Sequence, residues 1–277
     1  MEETDSQHPY WKDLARRYNE LTPPLRISDS ERSVYQSLVA NWSSSDHAPG
    51  VLVLGATPDF YHLPWPGQTQ MLAVDRSQAM LSGVWPGTPA QTLCADWTSM
   101  ELPSESRDIV LCDGGLSFFS YPEKLQTLLA NIARILTPGG LFIVRLYVQS
   151  EPRETVAGVF QQFFEGRIAN SQELKLRLWF ALLEEPGNGV RLHDVWGRFD
   201  AACEELRVRG DLPDWPDAEW ESMRAYRNLQ DVYHFPSGKQ VTEILRSINP
   251  KVTLQADITP SGPCREHLRI LSFRRNV

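Results

Sequence analysis

The residues best suited to chemistry in this sequence are a glycine and several acidic residues that close runs of apolar residues. Gly55 ends the run Val51–Leu54, and Asp75 ends the run Met71–Val74. A glycine at such a turn lets a ligand approach the backbone. An aspartate at the end of the next strand can accept hydrogen bonds from ribose hydroxyls. The spacing predicts a nucleotide site; the simpler alternative is that Asp75 only caps the following helix.

Two more aspartates follow predicted strands in the same way. Asp96 comes after the strand predicted over residues 91–95, and Asp113 comes after the strand predicted over residues 108–112. Open α/β sheets bind their ligands outside the carboxyl ends of the strands. We therefore expect these acidic residues to contribute to the same site as Gly55.

The elements that must position these residues alternate between strand and helix. Leu125, Leu128 and Ile132 belong to an apolar stripe typical of a helix, which Pro138-Gly139-Gly140 should stop before a fifth strand over residues 141–146. Thr57-Pro58-Asp59 is typical of a helix start, but the prolines at 64 and 66 predict that this helix is very short, a stunted helix. The alternation predicts a parallel, doubly wound sheet.

The flanking segments have a different character. Residues 9–40 read as two helices around the break at Thr22–Arg26, with Ser28 or Asp29 as the second N-cap. Residues 151–232 show four amphipathic stripes and no strand pattern, which predicts an all-helical insertion. A helix near residues 241–248 and two closing strands follow, joined by Pro260–Pro263 as in a hairpin, so the last strand should be antiparallel.

These patterns predict three parts. Residues 1–50 form N-terminal helices, residues 51–150 and 233–277 form the nucleotide-binding domain, and residues 151–232 form a helical insertion that acts as a cap.

Composition excludes several function classes. The formal net charge is −8 at pH 7, which opposes unaided binding to nucleic acid or to an anionic membrane surface. No stretch approaches the roughly 20 apolar residues of a membrane span, and the start Met1–Asp5 is unlike a signal peptide. The four cysteines are far apart, so we expect no metal site and no disulfide, burial of Cys94 and Cys112, and a cytoplasmic protein.

Five motifs together resemble those of the class I S-adenosylmethionine-dependent methyltransferases. They are, in chain order, VLVLGA at residues 51–56, AVDRS at 73–77, ADW at 95–97, DIVLCDG at 108–114 and TPGG at 137–140. The resemblance covers about residues 51–146 and resumes at 233–273. It implies a Rossmann-like, seven-stranded α/β sheet with the last strand antiparallel, the helical insertion after strand five, and S-adenosyl-L-methionine as cofactor. It also implies that the N-terminal helices of residues 1–50 cover the cofactor site.

The resemblance implies roles for residues at the methionine end of the cofactor. Gly55 and Ala56 should line the methionine part, while Asp113 and Gly114 should face its amino group and sulfonium. A carboxylate suits this place because both of those groups are cationic.

At the adenosine end, the resemblance assigns Asp75 to the ribose hydroxyls and Arg76 to a place beside the adenine. Asp96 should accept a hydrogen bond from the adenine amino group, and Trp97 should pack on the ring. Met80, in the short helix after Asp75, is also expected to contact the cofactor.

The first motif departs from the family pattern. Where the family usually has a second glycine, this chain has Thr57-Pro58, and Pro58 has no N–H to offer the cofactor carboxylate. Our hypothesis is that Arg26 or Tyr18 replaces those contacts; the alternative is that Arg26 is a surface charge.

The acceptor is predicted to be a small molecule, because the helical insertion should lie over the cofactor and is rich in large rings. His193, Tyr233 and His234 are candidate proton carriers, with His234 preferred because its segment re-enters the sheet near the site. Structural roles for these residues remain the alternative. The acceptor atom (O, N or S) and the oligomeric state stay open.

Two other function classes are alternatives to methyl transfer. A catalytically inactive binding or scaffolding protein is favoured by the Thr57-Pro58 departure but opposed by Asp75, Asp96 and Asp113. An NAD-dependent oxidoreductase expects G-x-G-x-x-G, and the sequence after strand one fails at two of those glycines.

Overall fold

The computed structural model describes residues 9–42, 48–185, 187–209 and 212–277. The acidic start Met1–Asp5 lies outside these residues. Nine strands and ten α-helices are present in the described part. The strands are β1 (Gly50–Leu54), β2 (Gln70–Asp75), β3 (Thr92–Cys94), β4 (Arg107–Asp113), β5 (Leu136–Tyr147), β6 (Val190–Arg191), β7 (Val232–Tyr233), β8 (Val252–Ile258) and β9 (Leu268–Arg275). The helices are α1 (Pro9–Arg17), α2 (Asp29–Ala40), α3 (Pro58–Tyr61), α4 (Gln78–Gly83), α5 (Glu123–Ile135), α6 (Val156–Phe164), α7 (Ser171–Leu182), α8 (Leu192–Arg209), α9 (Asp217–Arg224) and α10 (Gly238–Ile248).

Seven of the strands form one sheet in the order β3-β2-β1-β4-β5-β9-β8. The pairs among β1 to β5 are parallel, whereas β9 runs antiparallel to both β5 and β8. The predicted seven-stranded sheet with an antiparallel last strand is therefore confirmed. The parallel order brings the ends of β1, β2 and β4 to one edge of the sheet.

Alternate residues of the buried strands pack into cores on opposite faces of the sheet. Leu52 and Leu54 face one core, to which α5 and α10 contribute, while Val51 and Val53 face the other, which includes Tyr35 of α2. The strands are apolar on both sides because both faces of a parallel sheet are covered.

The N-terminal helices and their caps follow the predicted pattern. Ser28 caps α2 in a capping box, in which its side chain accepts from the Glu31 N–H and the Glu31 side chain accepts from the Ser28 N–H. The stunted helix after β1 is also confirmed, since α3 spans only four residues. Thr57 stands at its N-cap position without a side-chain cap bond, and Pro58 is at the first turn.

Two predictions were wrong, one about where β5 begins and one about the burial of Cys94. β5 does not begin after Pro138-Gly139-Gly140 but directly at Leu136, with a register irregularity against β4 that absorbs the extra residues. Cys94 is exposed rather than buried, because β3 is short and lies at the edge of the sheet.

Helices α6 to α9 build a third apolar core that includes Leu174, Trp179 and Phe199. The segment was predicted to be entirely helical. It is not, because β6 and β7 pair antiparallel across it. Within the described residues, no helix is long and apolar enough to cross a membrane.

Candidate active site

One cavity lies at the carboxyl ends of the parallel strands, between the sheet, α1 and the helical segment. Ten of the eleven residues expected to contact the cofactor line it, namely Tyr18, Gly55, Ala56, Asp75, Arg76, Met80, Asp96, Trp97, Asp113 and Gly114. The fold thus brings together residues that lie up to about a hundred positions apart in the chain. The missing residue of that set is Arg26.

Gly55 forms the turn at the end of β1. Its φ of +98° lies in the left-handed region that disfavours other residues, and its N–H donates to the Val74 carbonyl at 2.8 Å. A Cβ at this position would lie 3.8 Å from Thr57 Oγ1 and 4.0 Å from Asp75 Oδ2. The turn therefore keeps a side-chain-free surface beside one hydroxyl and one carboxylate.

The two aspartates after β2 and β3 are oriented by the backbone. Asp75 Oδ1 accepts from the Ser77 N–H at 2.8 Å, and Ser77 in turn caps α4. Asp96 Oδ1 accepts from the Thr98 N–H at 2.7 Å, while the residue as a whole is exposed. Local turns that fix one carboxylate oxygen also fix the direction of the second oxygen.

Trp97 is held rigidly beside these carboxylates. Its indole Nε1 donates to the Val74 carbonyl at 2.7 Å, and the side chain is buried. A Cβ at Gly115 would lie 2.7 Å from the Trp97 ring, so glycine is needed for this close packing. The ring is a fixed wall of the cavity.

Asp113 belongs to a buried charge cluster centred on Arg145 of β5. The Arg145 guanidinium donates to Asp113 Oδ1 at 2.5 Å and to Glu31 Oε1 at 2.7 Å. It also donates to the carbonyls of Pro24 and Leu25, at 3.0 Å each. Burial raises the pKa of Asp113 to about 6, although Arg145 opposes the shift.

This cluster ties the segment between α1 and α2 to the sheet. Five donors in a planar fork let one arginine satisfy two carboxylates and several carbonyls at once. Leu21 and Leu25 of the tied segment line the cavity. Arg145 therefore sets one wall of the site without lining it.

Arg26 is turned away from the cavity, contrary to one half of the hypothesis for the cofactor carboxylate. Its Nε pairs with Asp59 Oδ2 at 3.4 Å, and its guanidinium lies over the Tyr18 ring, 5.3 Å from the centroid. Arg32 binds the other oxygen of the buried Asp59 at 3.0 Å. Arg26 thus positions Tyr18, which does line the cavity.

Of the three candidate proton carriers, only Tyr233 lines the cavity. Burial raises the pKa of its hydroxyl far above the ordinary value, which suits a hydrogen-bond donor rather than a base. His234 instead lies against Gly189, where a Cβ would be 2.9 Å from its Nδ1, and burial lowers its pKa. His193 is exposed, hydrogen-bonds the Arg227 carbonyl and lines a separate surface hollow.

The residues that sequence reasoning missed come from the helical segment. Gln172, Lys175 and Trp179 of α7, with Ser222 and Tyr226 near α9, line the same cavity. The sequence offered one signal for these residues, the cation Lys175. It belongs to α7, in which the leucines are distributed so that no face of the helix is wholly polar. Only the tertiary packing shows that it points inward.

The comparisons with known proteins concern the domain family and the fold. Residues 52–144 match the model of a methyltransferase domain family. No curated protein matches the sequence significantly.

Solved structures show the same fold at low identity. The N-methyltransferase NodS of Bradyrhizobium japonicum, in complex with S-adenosyl-L-homocysteine, is 13% identical with a TM-score of 0.51, over 96% of this chain and 98% of that chain. A S-adenosylmethionine-dependent methyltransferase of Methanosarcina mazei is 10% identical with a TM-score of 0.53, over 91% and 100% of the two chains. A Rhodobacter sphaeroides protein described as a Zn-dependent alcohol dehydrogenase is 16% identical with a TM-score of 0.60, over the full length of both chains.

The sheet topology and the matched domain define the class. Residues 52–144 carry a methyltransferase domain, and the sheet has the fold of solved S-adenosylmethionine-dependent methyltransferases. Among the described residues, no group of three or more His, Cys, Asp or Glu side chains could hold a metal ion.

Proposed function

We propose that this methyltransferase transfers a methyl group to a small-molecule acceptor that binds under the helical segment. One observation carries the proposal: a single cavity is lined both by the strand-end residues around Gly55 and by Lys175, Trp179 and Tyr226 of the helical segment. Donor and acceptor can therefore lie side by side in one site. The ring-lined walls suit a compact, partly apolar molecule better than an extended polymer.

The chain's residues fit the cofactor in charge and shape. The open turn at Gly55 gives the methionine part its place, and Asp75 Oδ2 faces that turn. In the proposal, Asp75 and Asp96 accept from ribose and adenine groups, Arg76, Met80 and Trp97 border the base, and Asp113 faces the cationic amino group. The orientation of Asp75 and Trp97 by backbone hydrogen bonds supports these roles.

The cofactor carboxylate needs donors that Pro58 cannot supply. We assign it to Tyr18 and Thr57, two hydroxyl-bearing residues that both line the cavity. Arg26 contributes by holding the Tyr18 ring in place.

Bound S-adenosylmethionine supplies an electrophilic methyl group on a sulfonium. The protein's own part is to align the acceptor, exclude water and hold the donor's charges. Tyr233 can donate a hydrogen bond to the acceptor, since its high pKa keeps the hydroxyl protonated. The proposal places the reaction in the cytoplasm, because all four cysteines are free.

Calorimetric titration with S-adenosylhomocysteine tests the cofactor site. Asp75→Ala should weaken binding by roughly 1–3 kcal/mol, the cost of leaving polar partners unpaired. Asp257→Ala, at an exposed carboxylate of β8, is the matched control and should bind normally. Normal binding by Asp75→Ala would place the ribose elsewhere.

A transfer assay tests the acceptor class. Purified protein and methyl-labelled S-adenosylmethionine are incubated with a cell extract separated into small-molecule, protein and nucleic-acid fractions. Label should enter the small-molecule fraction and require Asp113. Label confined to protein or nucleic acid would refute a small-molecule acceptor.

A further inference from the structure

A lysine is buried in the part of the cavity that the helical segment supplies. Lys175 of α7 is only 4% exposed, yet it lines the cavity. Its ammonium donates to Ser222 Oγ at 2.7 Å and lies 4.5 Å from the centroid of the Tyr226 ring. The position is defined by neighbours from two helices rather than by a flexible surface chain.

This lysine lacks an anionic partner of its own. Among the described residues, no carboxylate oxygen lies within 4.0 Å of its ammonium. The nearest acidic influence is Glu219, but Glu219 Oε2 accepts from the Ser171 N–H at 2.7 Å. Burial lowers the pKa of Lys175 to about 7, against the opposing effect of Glu219 and with a small contribution from Arg17. A buried cation without a counter-ion is costly unless a ligand supplies one.

A second polar group at the same place is also unsatisfied. Gln172 is 3% exposed and lines the cavity, and its carbonyl oxygen has no hydrogen-bond partner in the described part of the chain. Its amide nitrogen donates to Ser222 Oγ at 2.9 Å. Ser222 Oγ thus accepts from both Gln172 and Lys175, which leaves its own proton to donate. We call Gln172, Lys175 and Ser222 the lysine pocket.

The lysine pocket offers a cation and a hydroxyl donor within ring-lined walls. Trp179 and Tyr233, 5.4 Å apart between ring centroids, line the same cavity. An acidic oxygen on a flat molecule matches both features, since the oxygen neutralises the ammonium and the flat part packs on the rings.

We infer that the lysine pocket binds an acidic oxygen of the methyl acceptor, a carboxylate or an ionised phenol or enol, so that the acceptor is an organic acid. The inference rests on the proposed function. The pocket belongs to α7 and α9, whereas the residues assigned to the cofactor lie at the ends of the parallel strands, in the loops that follow them, on α4 and in the turn after α1. This separation assigns the pocket to the acceptor rather than to the cofactor carboxylate.

The test compares a charged probe with its neutral isostere. Protein loaded with S-adenosylhomocysteine is titrated with benzoate and with benzamide, and binding is followed by tryptophan fluorescence. The wild type should prefer benzoate by about tenfold or more, the value of a hydrogen bond to a charged group. Lys175→Met should lose the preference, and Lys239→Met, at a lysine whose side chain is 83% exposed, should keep it.

A measurement on the wild type alone keeps the inference testable if Lys175→Met does not fold. Benzoate binding should weaken as the pH rises above about 7, since the ammonium then loses its proton, and benzamide binding should not change. Equal binding of the two probes to the wild type, or an unchanged preference in folded Lys175→Met, would overturn the inference.

A second pair of probes tests whether Lys175 binds the acceptor or the carboxylate of the cofactor. S-adenosylhomocysteine carries a carboxylate that 5′-methylthioadenosine lacks. Lys175→Met should bind both as the wild type does. Selective loss of S-adenosylhomocysteine would assign Lys175 to the cofactor and overturn the inference, whereas failure of the wild type to bind either nucleoside would contradict the cofactor site itself.

Discussion

Replacement of Arg145 by methionine should destabilise the protein more than any surface arginine would. The guanidinium makes six hydrogen bonds, to Asp113, Glu31, Tyr147 and the carbonyls of residues 24–26. Its removal leaves two buried carboxylates without a cation, and breaking such a pair costs about 3–5 kcal/mol. Methionine retains much of the apolar volume, so the loss reports mainly on charge and hydrogen bonding.

Urea unfolding, followed by the fluorescence of the nine tryptophans, measures this cost. Arg224→Met is the matched control because Arg224 and its partner Glu221 are both more than half exposed; it should cost less than about 1 kcal/mol. Equal losses in the free energy of unfolding for the two variants at pH 7.5 would refute the conclusion that Arg145 holds the buried charge cluster together.

The pH dependence of the Arg145→Met cost has a definite sign. Without the cation, the pKa of Asp113 in the folded state should rise further above its unfolded value. A raised folded pKa gives stability at low pH that is lost as the pH rises through it. The cost of Arg145→Met should therefore be smaller at pH 5.5 than at pH 7.5, and an unchanged or larger cost would contradict the buried-carboxylate explanation.

Three further predictions follow from the site and its supports. S-adenosylhomocysteine should bind more weakly as the pH falls through about 6, where Asp113 takes up a proton; calorimetry of Asp113→Asn should show no such dependence. Gly114→Ala should lower the Tm and weaken binding, because φ is +65° and a Cβ would lie 2.6 Å from the Tyr147 ring; Gly139→Ala, at φ +84° with open space, isolates the backbone strain. Ser28→Ala should cost about 1 kcal/mol in urea unfolding through loss of the α2 cap.

Local patterns predicted the elements whose ends are set by nearby residues. Ser28 marked the start of α2, and the prolines after Thr57 marked the short α3. The seven-stranded sheet with its antiparallel last strand followed from the resemblance, since a strand pattern alone does not say which strands pair. The early start of β5 was missed because a Pro-Gly-Gly sequence normally interrupts a strand, and here a register irregularity accommodates it.

The missed features depend on contacts between distant parts of the chain. β6 and β7 contain two residues each, too few to show an alternating pattern, and they pair across about forty residues. Arg145 was visible as one cation in an apolar strand, but its carboxylate partners Glu31 and Asp113 cannot be read from spacing. Lys175 was concealed in the same way, since its burial depends on how α7 packs against α9.

The altered first motif is explained by what surrounds it. The short α3 buries Asp59, whose charge is matched by Arg26 and Arg32 from the N-terminal segment. Arg145 binds the same segment from the sheet side. Ion pairs of Arg26 and Arg32 with Asp59 and hydrogen bonds from Arg145 thus hold residues 24–32 of the N-terminal segment, and Tyr18, whose ring lies under the Arg26 guanidinium, lines the cavity. A Thr57→Gly substitution alone should therefore leave the cofactor carboxylate without a backbone N–H donor at position 58, because Pro58 has none.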